Sequence, residues 1–96
     1  MDNKVITELV KLNNNSNRLI EISTKLEEAQ ELLRTLDEGL NYEFLNREFG
    51  DKFKNFKEIN PETINNQIAK IRREINKQQS MTYYKANEVY ILGRDR

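Results

Sequence analysis

The sequence contains no cysteine and no histidine. Without cysteine there is no disulfide, thiolate nucleophile or zinc finger, and without histidine the commonest general base and metal ligand is missing. The closely spaced carboxylates Glu27 and Glu31 resemble metal-binding glutamates of helical bundles, but those sites also use a Glu-x-x-His motif. We therefore expect a protein that is not an enzyme and that uses no metal or other cofactor.

Proline and glycine are also scarce, with one proline and three glycines that never cluster. A phosphate-binding glycine loop is therefore not predicted. No apolar run approaches the roughly 20 residues that span a bilayer, and residues 1–10 resemble neither a signal nor a transit peptide. We expect a cytoplasmic protein without membrane contact. The abundant asparagine, lysine and isoleucine are typical of phage or low-GC bacterial proteins.

The composition is polar for a self-contained globule. Hydrophobic residues make up 36% and charged residues 33% of the chain, which is normal for elongated helices that share an interface. A single domain over residues 1–96 buries only about 60 to 65% of its unfolded surface. Residues 1–40 carry five basic against eight acidic side chains, and residues 61–96 carry seven against four. This asymmetry is too weak for a nucleic-acid footprint. Because the core of such a chain is marginal, we expect an oligomer or a protein partner.

A seven-residue repeat runs through the first 40 residues. If the repeated residues occupy the positions named a in a coiled coil, then the positions named d in the predicted seam are polar in the first half and apolar in the second. The a positions are Val5, Leu12, Leu19, Leu26, Leu33 and Leu40. The d positions are Glu8, Asn15, Ile22, Ala29 and Leu36.

The asparagine-rich segment 13–17 lies inside this repeat. Asparagine costs roughly 0.6 kcal/mol per residue in a helix interior relative to alanine, which weakens a helix without breaking it. Leu12 and Leu19 stay in phase across the segment, so we predict one helix over residues 3–38, with a loop at 13–17 as the alternative. Asn15 is then expected in the seam, where an amide specifies register or oligomer state.

A basic edge, defined as Lys4, Lys11, Arg18 and Lys25, follows the same seven-residue spacing. In a parallel homodimer these side chains would meet no acidic partner, so the basic edge does not specify that arrangement. It either faces an acidic surface on this chain or another, or is simply solvated.

All four phenylalanines lie between Phe44 and Phe56, within an aromatic helical connector over residues 41–58. Gly50 and Asp51 divide the connector into predicted helices at 41–49 and 52–58. The aromatic side chains are expected either in the core or in an exposed docking patch.

The only proline marks the start of the last helix. Asn60 is the expected N-cap, Pro61 suits the first helical position, and Glu62 favours the helix dipole. An isoleucine stripe at 64, 68, 71 and 75 then keeps helical spacing. We predict a helix over 61–79 or 61–92, and the tyrosines and β-branched residues of the segment 80–92 leave a short strand as the alternative.

A weaker alternative is helix-turn-helix DNA binding through residues 61–77, because Asn65, Asn66, Gln67, Lys70 and Arg73 could contact bases and phosphates. The intervening segment is longer than the usual turn of three or four residues.

We therefore predict an all-α fold, an elongated helical hairpin or small helical bundle with a long coiled-coil-like N-terminal helix. The predicted function is protein binding by a small regulator, adaptor or inhibitor, most simply a homo-oligomer, and the alternative is a small DNA-binding transcriptional regulator. The expected oligomer or partner interface comprises Leu12, Asn15, Leu19, Ile22, Leu26, Leu33, Leu36, Ile64, Ile68, Ile71 and Ile75. The expected charged contact surface comprises Lys4, Lys11, Arg18, Lys25, Lys70, Arg72, Arg73 and Lys77.

Overall fold

The computed structural model describes residues 2–37, 40–50 and 59–94, and within these ranges every regular element is a helix. The helices are α1 (Asn3–Leu33), α2 (Tyr42–Phe49) and α3 (Pro61–Arg94). Helices α1 and α3 pack against each other along their length, and the molecule measures 75 by 18 by 15 Å. The prediction of an all-α, elongated helical hairpin is confirmed.

Helix α1 begins at a capping residue that the sequence analysis missed. The Asp2 carboxylate accepts hydrogen bonds from the backbone N–H groups of Lys4 at 2.8 Å and Val5 at 3.1 Å. This cap satisfies two of the N–H groups that a helix start leaves without partners. The asparagine segment 13–17 is helical, so the continuous helix is confirmed and the loop alternative is wrong. Leu12, next to the segment, and Ser16, within it, pack toward α3, which offsets the low helix propensity of asparagine.

Helix α1 ends earlier than predicted, at Leu33 and not at Glu38. The backbone N–H of Thr35 bonds to the carbonyl of Leu32, and that of Leu36 bonds to the carbonyl of Leu33. These bonds span three residues and not four, which tightens the last turn and satisfies carbonyls that the helix leaves open. The Thr35 hydroxyl also donates to the Leu32 carbonyl at 2.7 Å. Local side-chain and backbone bonds therefore stop the helix without a glycine or a proline.

Helix α3 starts where the sequence predicts it to start. The Asn60 side chain accepts from the backbone N–H of Thr63 at 3.1 Å, and Pro61 is the first helical residue. The helix then continues through the segment 80–92, so the longer helix is confirmed and the strand alternative is wrong. Its 34 residues extend about 51 Å, enough to cover all of α1. Contact with α1 over this length outweighs the modest helix propensity of the tyrosines and β-branched residues.

Helix α2 is short and separate from the hairpin. The Asn41 side chain caps it by accepting from the backbone N–H of Phe44 at 2.9 Å. The helix is followed by the capping residue Gly50, whose φ of 56° and ψ of -133° belong to a region that residues with a Cβ rarely adopt. The described part of the connector packs against neither α1 nor α3, and Phe44 and Phe49 are exposed. The predicted helix at 52–58, with Phe53 and Phe56, lies outside the described residues.

The residues that face inward between α1 and α3 alternate in steps of four and three. The predicted a positions from Val5 to Leu33 do face α3, but the predicted d positions are shifted by one residue. Glu8, Asn15 and Ile22 are exposed, whereas their successors are less exposed. The second series in α1 is Leu9, Ser16, Ser23 and Gln30. The prediction was wrong because apolar side chains at 22, 29 and 36 favoured seam positions three residues after each leucine of the repeat. In the structure α3 presents polar and small side chains, which favour seam positions four residues after each leucine.

We expect Ala86→Leu to lower the free energy of unfolding by about 1 to 3 kcal/mol, because a larger side chain must displace atoms of α1. Ala86 is 3% exposed and is the only buried hydrophobic side chain of the described residues. Asn87→Leu, at the exposed neighbouring position, is the control and should change stability by less than about 0.5 kcal/mol. Urea unfolding followed by circular dichroism measures both. Equal effects of the two variants would contradict the packing of Ala86 against α1.

Candidate protein-binding surface

The seam between α1 and α3 consists of two parallel rows with different chemistry. We define the leucine row as Val5, Leu12, Leu19, Leu26 and Leu33 of α1 with Ile68, Ile75, Thr82 and Val89 of α3. We define the amide row as Ser16, Ser23 and Gln30 of α1 with Asn65, Arg72 and Gln79 of α3. The leucine row supplies apolar contact, and the amide row supplies hydrogen bonds between the helices.

Hydrogen bonds in and beside the amide row fix how the helices align. The Gln79 amide donates to the Ser16 hydroxyl at 2.9 Å, and the Gln30 amide donates to the Asn65 side-chain Oδ1 at 2.8 Å. The Ser23 hydroxyl donates to the Asn76 side-chain oxygen at 3.0 Å. Residue numbers rise along α1 as they fall along α3, so the helices are antiparallel. The bonds also show which parts of the two helices lie at the same level.

Arg72 is a cation inside the seam. Its side chain is 28% exposed, its Nη1 donates to the Gln30 Oε1 at 2.7 Å, and its Nη2 lies 3.5 Å from the Glu27 Oε2. Its Nε is buried without a hydrogen-bond partner. Arg72 was expected in the charged contact surface, but its guanidinium instead binds between the helices. Lys70, Arg73 and Lys77 are exposed.

The two rows give the hairpin two different faces. Glu27 and Asn76 each follow a leucine-row residue by one position and contact amide-row side chains. The side of the hairpin on which they lie is called the amide face. Residues that follow the leucine row by three positions lie on the other side of each helix, because successive residues are about 100° apart. We call this side the apolar face, formed by the leucine row together with Ile22, Ala29, Ile64 and Ile71.

The chain does not cover the apolar face within its described residues. Ile22, Ile64 and Ile71 are exposed, and no leucine-row side chain is fully buried. A groove of about 400 Å³ lies on this face, lined by Arg18, Glu21, Ile22, Lys25 and Leu26. The large apolar side chains of the hairpin thus remain in partial contact with water, which is typical of a surface that binds another protein.

Opposite charges border the apolar face. On α1 the border is the basic edge, and on α3 it contains Glu74 and Glu88, each one residue before a leucine-row position. Lys11, Arg18 and Lys25 pair with glutamates of their own helix. Both side chains of each pair are more than half exposed, and such surface pairs contribute little free energy.

The expected interface residues fall into two groups in the structure. Leu12, Leu19, Leu26, Leu33, Ile68 and Ile75 lie in the seam between α1 and α3. Asn15, Ile22, Ile64 and Ile71 are exposed beside the seam, and Leu36 is exposed beyond the end of α1. Asn15 is therefore not in the seam within the hairpin, where the buried polar residue is Ser16, 4% exposed.

The amide row was not predicted from the sequence. The available signal was a second seven-residue series of small or amide side chains, Ser16, Ser23 and Gln30, one position after the predicted d series. Asn65, Arg72 and Gln79 form a matching series in α3. Polar side chains at seam positions are recognisable from sequence only when two series can be paired, which requires knowing that α1 and α3 are partners.

We expect Arg72→Ala to lower the free energy of unfolding by about 1 to 3 kcal/mol, because the Gln30 oxygen loses a charged donor in a half-buried seam. Arg73→Ala removes the same charge from an exposed position and is the control, with an expected change under about 0.5 kcal/mol. Thermal unfolding of both variants tests this. Equal stability of the two variants would contradict a net stabilising contribution from the Arg72 contacts.

Among the described residues, no group of three or more histidine, cysteine, aspartate or glutamate side chains could hold a metal ion. None of the helices in the described ranges has the length and apolar character needed to cross a membrane. Comparison of the chain with protein-family models, with curated proteins and with solved structures finds no match.

Proposed function

We propose that this protein is a non-enzymatic protein-binding module, a small helical regulator, adaptor or inhibitor that acts through coiled-coil-type association. The observation that carries the proposal is the apolar face, where the leucine row is partly exposed and the flanking Ile22, Ile64 and Ile71 are exposed. The simplest partner is another copy of the chain, in a cytoplasmic homo-oligomer.

The exposed isoleucines of the apolar face set the free energy that a partner can gain. Complete burial of one isoleucine side chain contributes about 1.5 to 3 kcal/mol. Ile22, Ile64 and Ile71 are 46%, 40% and 51% exposed, so a partner that covers all three would gain several kcal/mol from these contacts alone. A gain of this size is large compared with the marginal stability of a small domain. Association and stability are therefore expected to be coupled.

The DNA-binding alternative has less support from the geometry. Arg72 is engaged in the seam, which leaves Lys70, Arg73 and Lys77 exposed on the expected recognition helix. Three phosphate contacts would give a log-log salt slope of only about -2.7. Helix α2 ends at Phe49 and α3 begins at Pro61, a connection far longer than the three or four residues of a helix-turn-helix motif.

We expect Ile22→Asp to convert the oligomer to monomer, because it places a charge in the centre of the apolar face. Ile20→Asp is the matched control: it lies on the same helix, with 50% exposure against 46% for Ile22, but it points to the amide-face side. Sedimentation equilibrium at micromolar concentration, with helicity measured in parallel, compares the two variants. A monomeric wild-type chain would refute self-association, and equal loss in both variants would refute the assignment to the apolar face.

We expect duplex DNA to bind weakly and without sequence preference. The variant Lys70→Glu with Arg73→Glu should leave self-association unchanged, because both side chains lie away from the apolar face. Fluorescence anisotropy with labelled duplexes measures DNA binding. Tight, sequence-dependent binding that this variant abolishes would favour the transcriptional-regulator alternative.

A further inference from the structure

We propose that the apolar face packs against the apolar face of a second copy in a two-fold dimer whose axis runs parallel to the helices. In this dimer, α1 of each protomer packs antiparallel against α3 of the other, and both connectors lie at the same end. The inference rests on the proposed function and adds to it the partner and the orientation.

Two symmetric arrangements can bring the apolar faces together. A two-fold axis parallel to the helices places α1 on the partner's α3. An axis perpendicular to the helices and lying between the faces places α1 on the partner's α1, with the connectors at opposite ends. The side chains that border the apolar face distinguish these arrangements, because they differ between α1 and α3.

The charged borders favour the parallel axis. The perpendicular axis would align the basic edge with its own copy, bringing the cations of Lys4, Lys11, Arg18 and Lys25 together. Like charges placed opposite each other disfavour association. The parallel axis instead aligns the basic edge with the border of the partner's α3 that carries Glu74 and Glu88.

The levels of these charges also match. Ser16 bonds to Gln79 and Gln30 bonds to Asn65, so positions at equal level have residue numbers that add to about 95. Rotation about an axis parallel to the helices preserves level. Glu74 of one copy then lies between Arg18 and Lys25 of the other, and Glu88 lies between Lys4 and Lys11.

The residues immediately beside the leucine row match in the same register. Four residues beside the leucine row of α1 each lie opposite a residue of the partner's α3, at the same height along the helix axis to within two residues. The pairs are Glu8 with Lys85, Asn15 with Gln78, Ile22 with Ile71, and Ala29 with Ile64. Acid meets base, amide meets amide and apolar meets apolar. With the perpendicular axis placed midway between Asn15 and Ile22, Glu8 lies opposite the partner's Ala29 and Asn15 lies opposite the partner's Ile22. Polar side chains then meet apolar ones.

The surface is large enough for a stable dimer. Helix α1 has 31 residues and extends about 46 Å, and the molecule is 18 Å across. A face of these dimensions buries on the order of 800 Å² per partner, the usual size of a specific protein interface.

The first test is a charge exchange across the interface. We expect Arg18→Glu and Glu74→Arg each to raise the dimer Kd by roughly tenfold, because each substitution affects two symmetric contacts. The double variant should recover most of the wild-type affinity. Arg73→Glu makes the same charge change outside the apolar face and should leave the Kd unchanged. Arg18 is 76% exposed, so the fold should be retained, as circular dichroism can verify.

The second test measures orientation directly. The chain has no cysteine, so Asn3→Cys provides a single site for a spin label near the open end of the hairpin. With both connectors at the same end, the two labels lie at the same level and only the bundle width, roughly 20 to 35 Å, separates them. With the connectors at opposite ends, the axial separation alone is about 45 Å.

The outcomes separate this inference from the proposed function. A short label distance with recovery in the double variant supports the dimer described here. A long distance, an unchanged Kd in Arg18→Glu, or no recovery in the double variant overturns this dimer but leaves self-association intact. A monomer at all concentrations, including one that binds an unrelated protein, overturns the dimer and the proposed homo-oligomer together.

Discussion

Hydrogen bonds between amide-row side chains set the alignment of the two long helices, and the surfaces of the hairpin depend on that alignment. A seven-residue repeat of leucine alone would pack nearly as well after a shift of one heptad, because each leucine would meet an equivalent position. The bonds from Ser16 to Gln79 and from Gln30 to Asn65 break this equivalence. A one-heptad shift in one direction would place Ser16 near Ala86, and a shift in the other direction would place Gln79 near Leu9. Polar side chains at seam positions are a known means of specifying register at some cost in stability.

The same arrangement explains why the hairpin is so incompletely buried. One row of the seam contains most of its hydrogen-bonding polar side chains, and the other row is mostly apolar and opens onto a face bordered by isoleucine. Two helices alone cannot surround their own apolar side chains, since each helix covers only part of its neighbour's circumference. The hairpin is thus well specified in its alignment and poorly supplied with buried apolar surface.

Much of the fold follows from local sequence signals. The absence of proline and glycine from residues 3–33, and the Asn60 and Pro61 start signal, place α1 and α3 because capping and propensity act within a few residues. The seven-residue repeat likewise identifies the leucine row. The choice between steps of three and four, which decides whether Asn15 or Ser16 faces inward, depends on the side chains that α3 brings. The engagement of Arg72 with Gln30 and Glu27 depends on α3 in the same way. Such long-range pairings cannot be derived from one helix at a time.

The antiparallel alignment also has a consequence for folding order. The pair Gln30 with Asn65, close to the connector, is separated by 35 residues in sequence, whereas the pair Ser16 with Gln79 is separated by 63. Closing the shorter loop first loses less chain entropy, and each pair that forms brings the next pair closer. The hairpin is therefore set up to zip from the connector toward the chain termini. Each polar pair forms its hydrogen bond only when the helices are correctly aligned. A misaligned chain therefore has unpaired amides early in folding, before the open end has closed.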